Sequence, residues 1–335
     1  MLDSQPQGHP GPAAKIDVHQ HVWTQPLLAA LQAREQLPFV RIEQGLTVLY
    51  IAGERPYVID VEAESTSHRR ELLTEDGVNG ALICLSSPLG IEALHDPHAP
   101  ELLDAYHRGA LALGPPFGVW GAISIARLDA GEVDRLLELG CVGVSLPAGS
   151  LASVYALARL AGVLDRLSEH EAPLFVHPGP GLQSGARARG ASLSDPLWWP
   201  AMTSYVADMQ AAWLAFATAG RRSHPSLRVI FAMLAGLAPL HVERLRARGG
   251  PQAPLDDPLT FYESSSYDLR AVESIRTLVG ESQLLYGSDR PVVDPSGGGA
   301  SPHALDWSAV GGATELALGR PWRTLAPRDE APVLR

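Results

Sequence analysis

The chain has 335 residues, 46% hydrophobic and 19% charged, a balance that supports a compact globular protein and excludes a disordered or fibrous one. Its formal net charge of −11 argues against nucleic acid or an anionic membrane as partner. It contains no run of about 18 apolar residues, so no transmembrane helix is predicted. The two cysteines, Cys84 and Cys141, both lie in apolar runs and read as buried thiols of a reducing, cytoplasmic compartment.

Residues 1–14 are polar and rich in Pro and Gly, and read as a flexible leader; 15–335 read as a single domain. KIDVHQH (15–21) is the first of eight short apolar runs of the kind that buried parallel strands produce. An irregular stretch follows it, in which TVLYIAGERPYVID (47–60) predicts a β-hairpin turning at Gly53. Strand GALICLSS (80–87) leads to a helix over 100–113, strand VWGAISI (119–125) to a helix over 129–140, and strand CVGVSLPA (141–148) to a helix over 151–167. Strand PLFVHPG (173–179) is followed by a long Gly/Ser-rich loop (179–200) and a helix over 201–220. Strand LRVIFAML (227–234) leads to a helix over 239–250, strand LTFYESSS (259–266) to a helix over 268–280, and QLLYGSD (283–289) is the last strand.

Strand alternating with helix eight times predicts an α/β fold, the (β/α)8 TIM barrel, with a small β-hairpin insertion after strand 1. An open doubly wound sheet is disfavoured because no Gly-x-Gly-x-x-Gly turn follows the first strand. Side chains alternate along a strand, so Asp17, His19 and His21 share a face. At the end of a first barrel strand that face is the barrel mouth, where sites are built. His177 ends the fifth strand and Asp289 the eighth, and these ends converge on the same mouth. Three histidines and one carboxylate suit zinc or a similar divalent ion that also holds a water.

The segments IDVHQH, VHPG and YGSDRP resemble the amidohydrolase superfamily, in particular the single-metal branch containing aminocarboxymuconate semialdehyde decarboxylase. SHPSLRVIFA and APLHVERL, around the sixth strand, match that branch as well, and the resemblance runs from residue 15 to about residue 295. It implies His19, His21, His177 and Asp289 as ligands of one divalent metal ion, zinc being the expected one, with Asp289 also taking a proton from bound water. Two-metal members use a carboxylated lysine on the fourth strand. The sole lysine here is Lys15, on the first strand, so a mononuclear site is expected. The family also implies a homodimer.

The sequence departs from this pattern at the sixth strand. Relatives read His-x-Gly-Gly there, with the histidine as acid/base, whereas this chain has Met233. A thioether neither transfers a proton nor donates a hydrogen bond. His241, on the next helix, is a candidate catalytic replacement if that helix begins at the mouth, and a helix-surface residue otherwise. Arg290 is a candidate clamp for a substrate carboxylate, or one half of a structural ion pair. Trp23, Trp198 and Trp199 are candidates for an apolar wall against a planar substrate, or for loop packing. Glu263 either serves the site or holds a neighbouring strand or loop.

The leading expectation is a metal-dependent hydrolase of a small organic substrate, a carboxylated ring, amide or lactone, attacked by metal-activated water. The alternatives are a non-oxidative decarboxylase of an aromatic or unsaturated acid, and a metal-binding barrel without turnover. The expected partner is a small-molecule substrate, with no nucleic acid and no membrane.

Overall fold

The computed structural model describes residues 14–95, 97–182, 195–294 and 306–319. The 1–14 leader therefore lies almost wholly outside the described residues, as does most of the 179–200 loop. The first strand, β1 (Ile16–Gln20), is buried along its whole length. After it the chain leaves the barrel to form a small antiparallel sheet of β2 (Phe39–Glu43), β3 (Leu46–Tyr50) and β4 (Tyr57–Ile59). The predicted hairpin is β3–β4. Its extra partner β2 is joined to β3 through Gln44 and Gly45, both at positive φ (51° and 83°). That left-handed pair is the twist a two-residue hairpin turn needs, so Gly45 was the legible signal for the additional strand.

The remaining seven barrel strands are β5 (Gly80–Ile83), β6 (Phe117–Ala122), β7 (Gly143–Pro147), β8 (Leu174–His177), β9 (Val229–Phe231), β10 (Thr260–Glu263) and β11 (Leu284–Leu285). With β1 they pair in parallel in chain order. The sheet closes on itself where Val18 N donates to Tyr286 O (2.9 Å), Asp289 N to His19 O (2.9 Å) and His21 N to Arg290 O (2.6 Å). All eight predicted strands are found, each within its predicted run or displaced by two or three residues, and the fold is a (β/α)8 barrel. Closure is what brings the ends of β1, β8 and β11 to one mouth.

The helices follow local sequence chemistry. Asp268 caps Leu269–Val279 by accepting from Arg270 N and Ala271 N, and Gly280 stops the helix at φ 94°. The helix predicted over 151–167 is two, Val154–Arg159 and Ala161–Glu169. Helices Gln25–Gln32 and Thr66–Glu75 were not predicted. Among the described residues no helix is long and apolar enough to cross a membrane. Inside the barrel, Trp120 is fully buried, donates Nε1–H to Val18 O (3.0 Å) and stacks on Phe175 with ring centroids 5.2 Å apart. This pair is the floor on which the mouth residues stand.

A short turn after β5 carries Glu92, which is 1% exposed and accepts from Ser87 Oγ, while its Oε2 has no partner. Burial, partly offset by Ser87, pushes its carboxyl up to about 7. A carboxyl raised on folding leaves stability intact below its unfolded value near 4.5 and lowers it as pH rises to about 7. Glu92→Gln is therefore expected to match the native chain at pH 4.5 and to exceed it by roughly 3 kcal/mol above pH 7. Urea denaturation across that pH range checks this; parallel curves for the two proteins would rule it out.

Candidate metal centre

Along β1 the side chains of His19 and His21 enter the mouth as alternation requires. Asp17 does not join them. Its carboxylate accepts from His19 N (3.1 Å), Ser288 N (3.0 Å) and Gln20 Nε2 (2.7 Å), tying β1 to the chain after β11. On β8, Phe175 and His177 share a face, and the Phe175 ring meets the His19 ring edge-on at 5.1 Å.

Each of the three imidazoles has its Nδ1 against an oxygen acceptor: Glu263 Oε2 for His19 (3.0 Å), the Cys84 carbonyl for His21 (2.9 Å) and the Pro178 carbonyl for His177 (2.7 Å). A carbonyl or carboxylate only accepts, so Nδ1 carries the proton and Nε2 presents a lone pair. Those Nε2 atoms converge: His19 to His21 is 3.3 Å and His177 to His21 is 3.2 Å. Asp289 Oδ1 lies 3.0 Å from His21 Nε2 and 3.3 Å from His19 Nε2.

Lone pairs facing one another at this distance repel unless a cation stands among them. A tetrahedral ion with bonds of about 2.0–2.1 Å sets donor–donor edges of about 3.3–3.4 Å, and an octahedral one edges of about 3.0 Å. The residues present fit a divalent ion, and their spacing suits zinc and manganese alike. His19, His21 and His177 are 1–3% exposed, whereas Asp289 is 14% exposed. Asp289 is thus the member of the four that an incoming substrate meets.

Burial pulls the His21 imidazolium down, but Cys84 and Asp289 outweigh it and bring it up to about 10. His19 rises for the same reason, chiefly through Asp289. His177, buried and beside both, is held well below the usual histidine range. Burial raises the Asp289 carboxyl, but His19 and His21 prevail and hold it low.

Glu263, fully buried at the end of β10, does more than hold a strand. It orients His19, accepts from Ser265 Oγ (2.9 Å) and from Ser265 N, and receives Met233 N at 3.4 Å. Gly287 makes room for it: a Cβ there would lie 2.2 Å from Glu263 Oε1. Gly287→Ala is expected to displace that carboxylate, free the His19 ring and weaken metal affinity about 10–100-fold. A metal titration with circular dichroism as fold control checks this, and unchanged affinity in a folded variant would remove Glu263 from the account.

Met233 lies two residues beyond β9. It opens a left-handed turn: Met233, Leu234, Ala235, Gly236 and Leu237 all have φ between 49° and 62°. Such residues cost about 1–2 kcal/mol each unless glycine, so the surroundings must hold the turn. Gln210 Nε2 donates to Gly236 O (2.8 Å) and Ala232 N to Val176 O (3.0 Å).

Arg290 forms a two-pronged ion pair with Asp76 (2.9 and 3.1 Å), the structural alternative to a substrate clamp. His241 is exposed at the end of a short 3-10 turn, Ala238–His241, as a helix-surface residue would be. Trp198 and Trp199 are 58% and 42% exposed and pack on each other, ring centroids 5.7 Å apart. Trp23 is buried beside His21, among Leu27, Leu85 and Tyr106. Sequence reasoning missed Cys84 as a neighbour of the centre. It follows β5 directly, but the predicted run 80–87 placed it in mid-strand, where the strand-end rule that picked His177 does not apply.

No protein-family model and no curated protein matches the chain. Solved structures do. The chain is similar to an IDCase of Metarhizium anisopliae in apo form, at 17% identity over 92% of each chain with a TM-score of 0.68. It is similar to 5-carboxyvanillate decarboxylase from Novosphingobium aromaticivorans with bound manganese and a substituted nitrobenzoic acid (16% identity, 93% of this chain and 97% of that one, TM-score 0.66). A 2,6-dihydroxybenzoate decarboxylase from Rhizobium matches at 16% identity over 93% and 98%, with a TM-score of 0.63. Identity this low shows a common fold.

Proposed function

We propose that the chain is a single-metal barrel enzyme of the amidohydrolase superfamily and a carboxy-lyase that removes CO2 from a small aromatic acid. The observation that carries this is the convergence of three Nε2 atoms and one carboxylate oxygen at the mouth of this barrel, His21 Nε2 lying 3.0–3.3 Å from each of the other three. Structural neighbours with this fold that are named for an activity include decarboxylases of hydroxylated benzoates. They favour the lyase over the hydrolase expected first from the sequence.

A divalent ion bound there supplies Lewis-acid polarisation of substrate oxygens. The protein's own part is positional and protonic. His19, His21 and His177, locked by Nδ1 partners, form a rigid rear wall, and Phe175 under His19 keeps water from the floor. The ring–carboxylate bond breaks, its electron pair stays on the ring carbon, and that carbon takes one proton as CO2 leaves. Met233 cannot give that proton. Asp289, the exposed member, is the group in reach to carry it, recovering it from solvent.

Met233 also supports the second reading, metal-assisted hydrolysis, because water attack needs no proton donor on the sixth strand. One experiment separates them. The metal-loaded chain is incubated with a panel of hydroxybenzoates and a panel of aryl lactones and amides. CO2 release with formation of the matching phenol supports the lyase; ring opening or amide cleavage without CO2 release replaces it with the hydrolase.

A further inference from the structure

Cys84 stands at this centre without a part in the proposed chemistry. It is 1% exposed and immediately follows β5, and its backbone N donates to Gln20 O (2.8 Å), which fixes it beside β1. Its Sγ lies 3.5 Å from His21 Nδ1. The sulfur and one ring nitrogen of each of His19, His21 and His177 lie within 4.8 Å of one another. With bonds of about 2.3 Å to sulfur and about 2.1 Å to nitrogen, sulfur–nitrogen edges run from about 3.1 Å at a right angle, as a fifth ligand allows, to about 3.6 Å at the tetrahedral angle.

The proton on His21 Nδ1 is already given to the Cys84 carbonyl at 2.9 Å. The sulfur meets the same nitrogen at 3.5 Å, but the carbonyl is the nearer and stronger acceptor, which leaves the sulfur lone pairs for a cation. The centre holds a hard donor, the Asp289 carboxylate, and a soft one, the Cys84 sulfur, around the same three imidazoles.

Resting on the metal reading above, we propose that Cys84 is a thiolate ligand of the ion and that it tunes the site toward thiophilic metals, zinc above manganese. Soft sulfur donors favour zinc and cobalt, whereas manganese favours oxygen donors. The bond forms between Sγ and the ion as the thiol proton passes to solvent, with no change of oxidation state.

The test is titration of the metal-stripped full chain with cobalt(II), followed by absorbance. Uptake accompanied by an intense near-ultraviolet sulfur-to-cobalt charge-transfer band, absent from Cys84→Ser, is the expected result. In competition, Cys84→Ser is expected to lower the zinc-over-manganese preference at least about tenfold. Cobalt uptake without the band overturns the thiolate and leaves the metal centre standing; no uptake at all overturns both. The native spectrum decides the matter even if the serine variant fails to fold.

Discussion

Replacing Asp289 with asparagine is expected to cut kcat by roughly 10²–10⁴-fold, the range typical for removal of a group that handles the reacting proton. Asparagine is the informative choice for a structural reason. Asp289 sits at φ 59°, a left-handed angle that asparagine tolerates nearly as well as any residue other than glycine. It also keeps a carbonyl oxygen where Oδ1 stands, 3.0 Å from His21 Nε2. Metal content should therefore fall much less than turnover. Steady-state kinetics with metal analysis on the same preparation checks the split. A variant that loses its ion in proportion to its activity would make Asp289 a ligand alone, without a proton-carrying role.

The second large effect is on stability. Arg69, from the helix Thr66–Glu75, is 2% exposed behind β1. Its Nη2 donates to Gln20 Oε1 (2.6 Å), and its Nη1 lies 3.9 Å from Glu64 Oε1. Gln20 in turn donates to Asp17, and Glu64 accepts from Trp23 N (2.9 Å). Burial, helped by the neighbouring Arg290 charge, pulls the guanidinium below its usual range, and Glu64 and Asp17 offset part of that. One cation thus balances two buried carboxylates. Arg69→Ala is expected to cost about 3–5 kcal/mol, because the loss leaves uncompensated charge in the interior. The denaturant midpoint reads this directly, and a change under about 1 kcal/mol would mean that Asp17 and Glu64 are neutral in the fold. Since the network anchors β1 on both sides of His19 and His21, the same variant should also bind metal more weakly.

Much of this was legible in the sequence because the barrel uses period and position. Buried parallel strands read as short apolar runs, and eight of them set the topology. Strand-end polar residues then pointed to His19, His21, His177 and Asp289, since a barrel gathers its strand ends at one mouth. Three kinds of feature were hidden. The helix Val154–Arg159 breaks from its successor at Leu160, and the one glycine nearby, Gly162, falls inside the second helix rather than at the break. The partners of Arg290 and Glu263 are distant in sequence, Asp76 being 214 positions away and His19 244, so alternation alone could not choose between functional and structural roles. Cys84 was read as a core thiol because its apolar run looks like any buried strand. Only the closed barrel brings its sulfur to the histidines.

The account rests on one ion among three imidazoles and one carboxylate, and titration of the metal-stripped chain with a divalent ion, read by metal content at saturation, tests that most directly. The predicted result is saturation at one ion per chain, lost when His19, His21 or His177 is changed to alanine in a protein that still folds. Saturation at two ions per chain, or a single ion retained in all three variants, would contradict it.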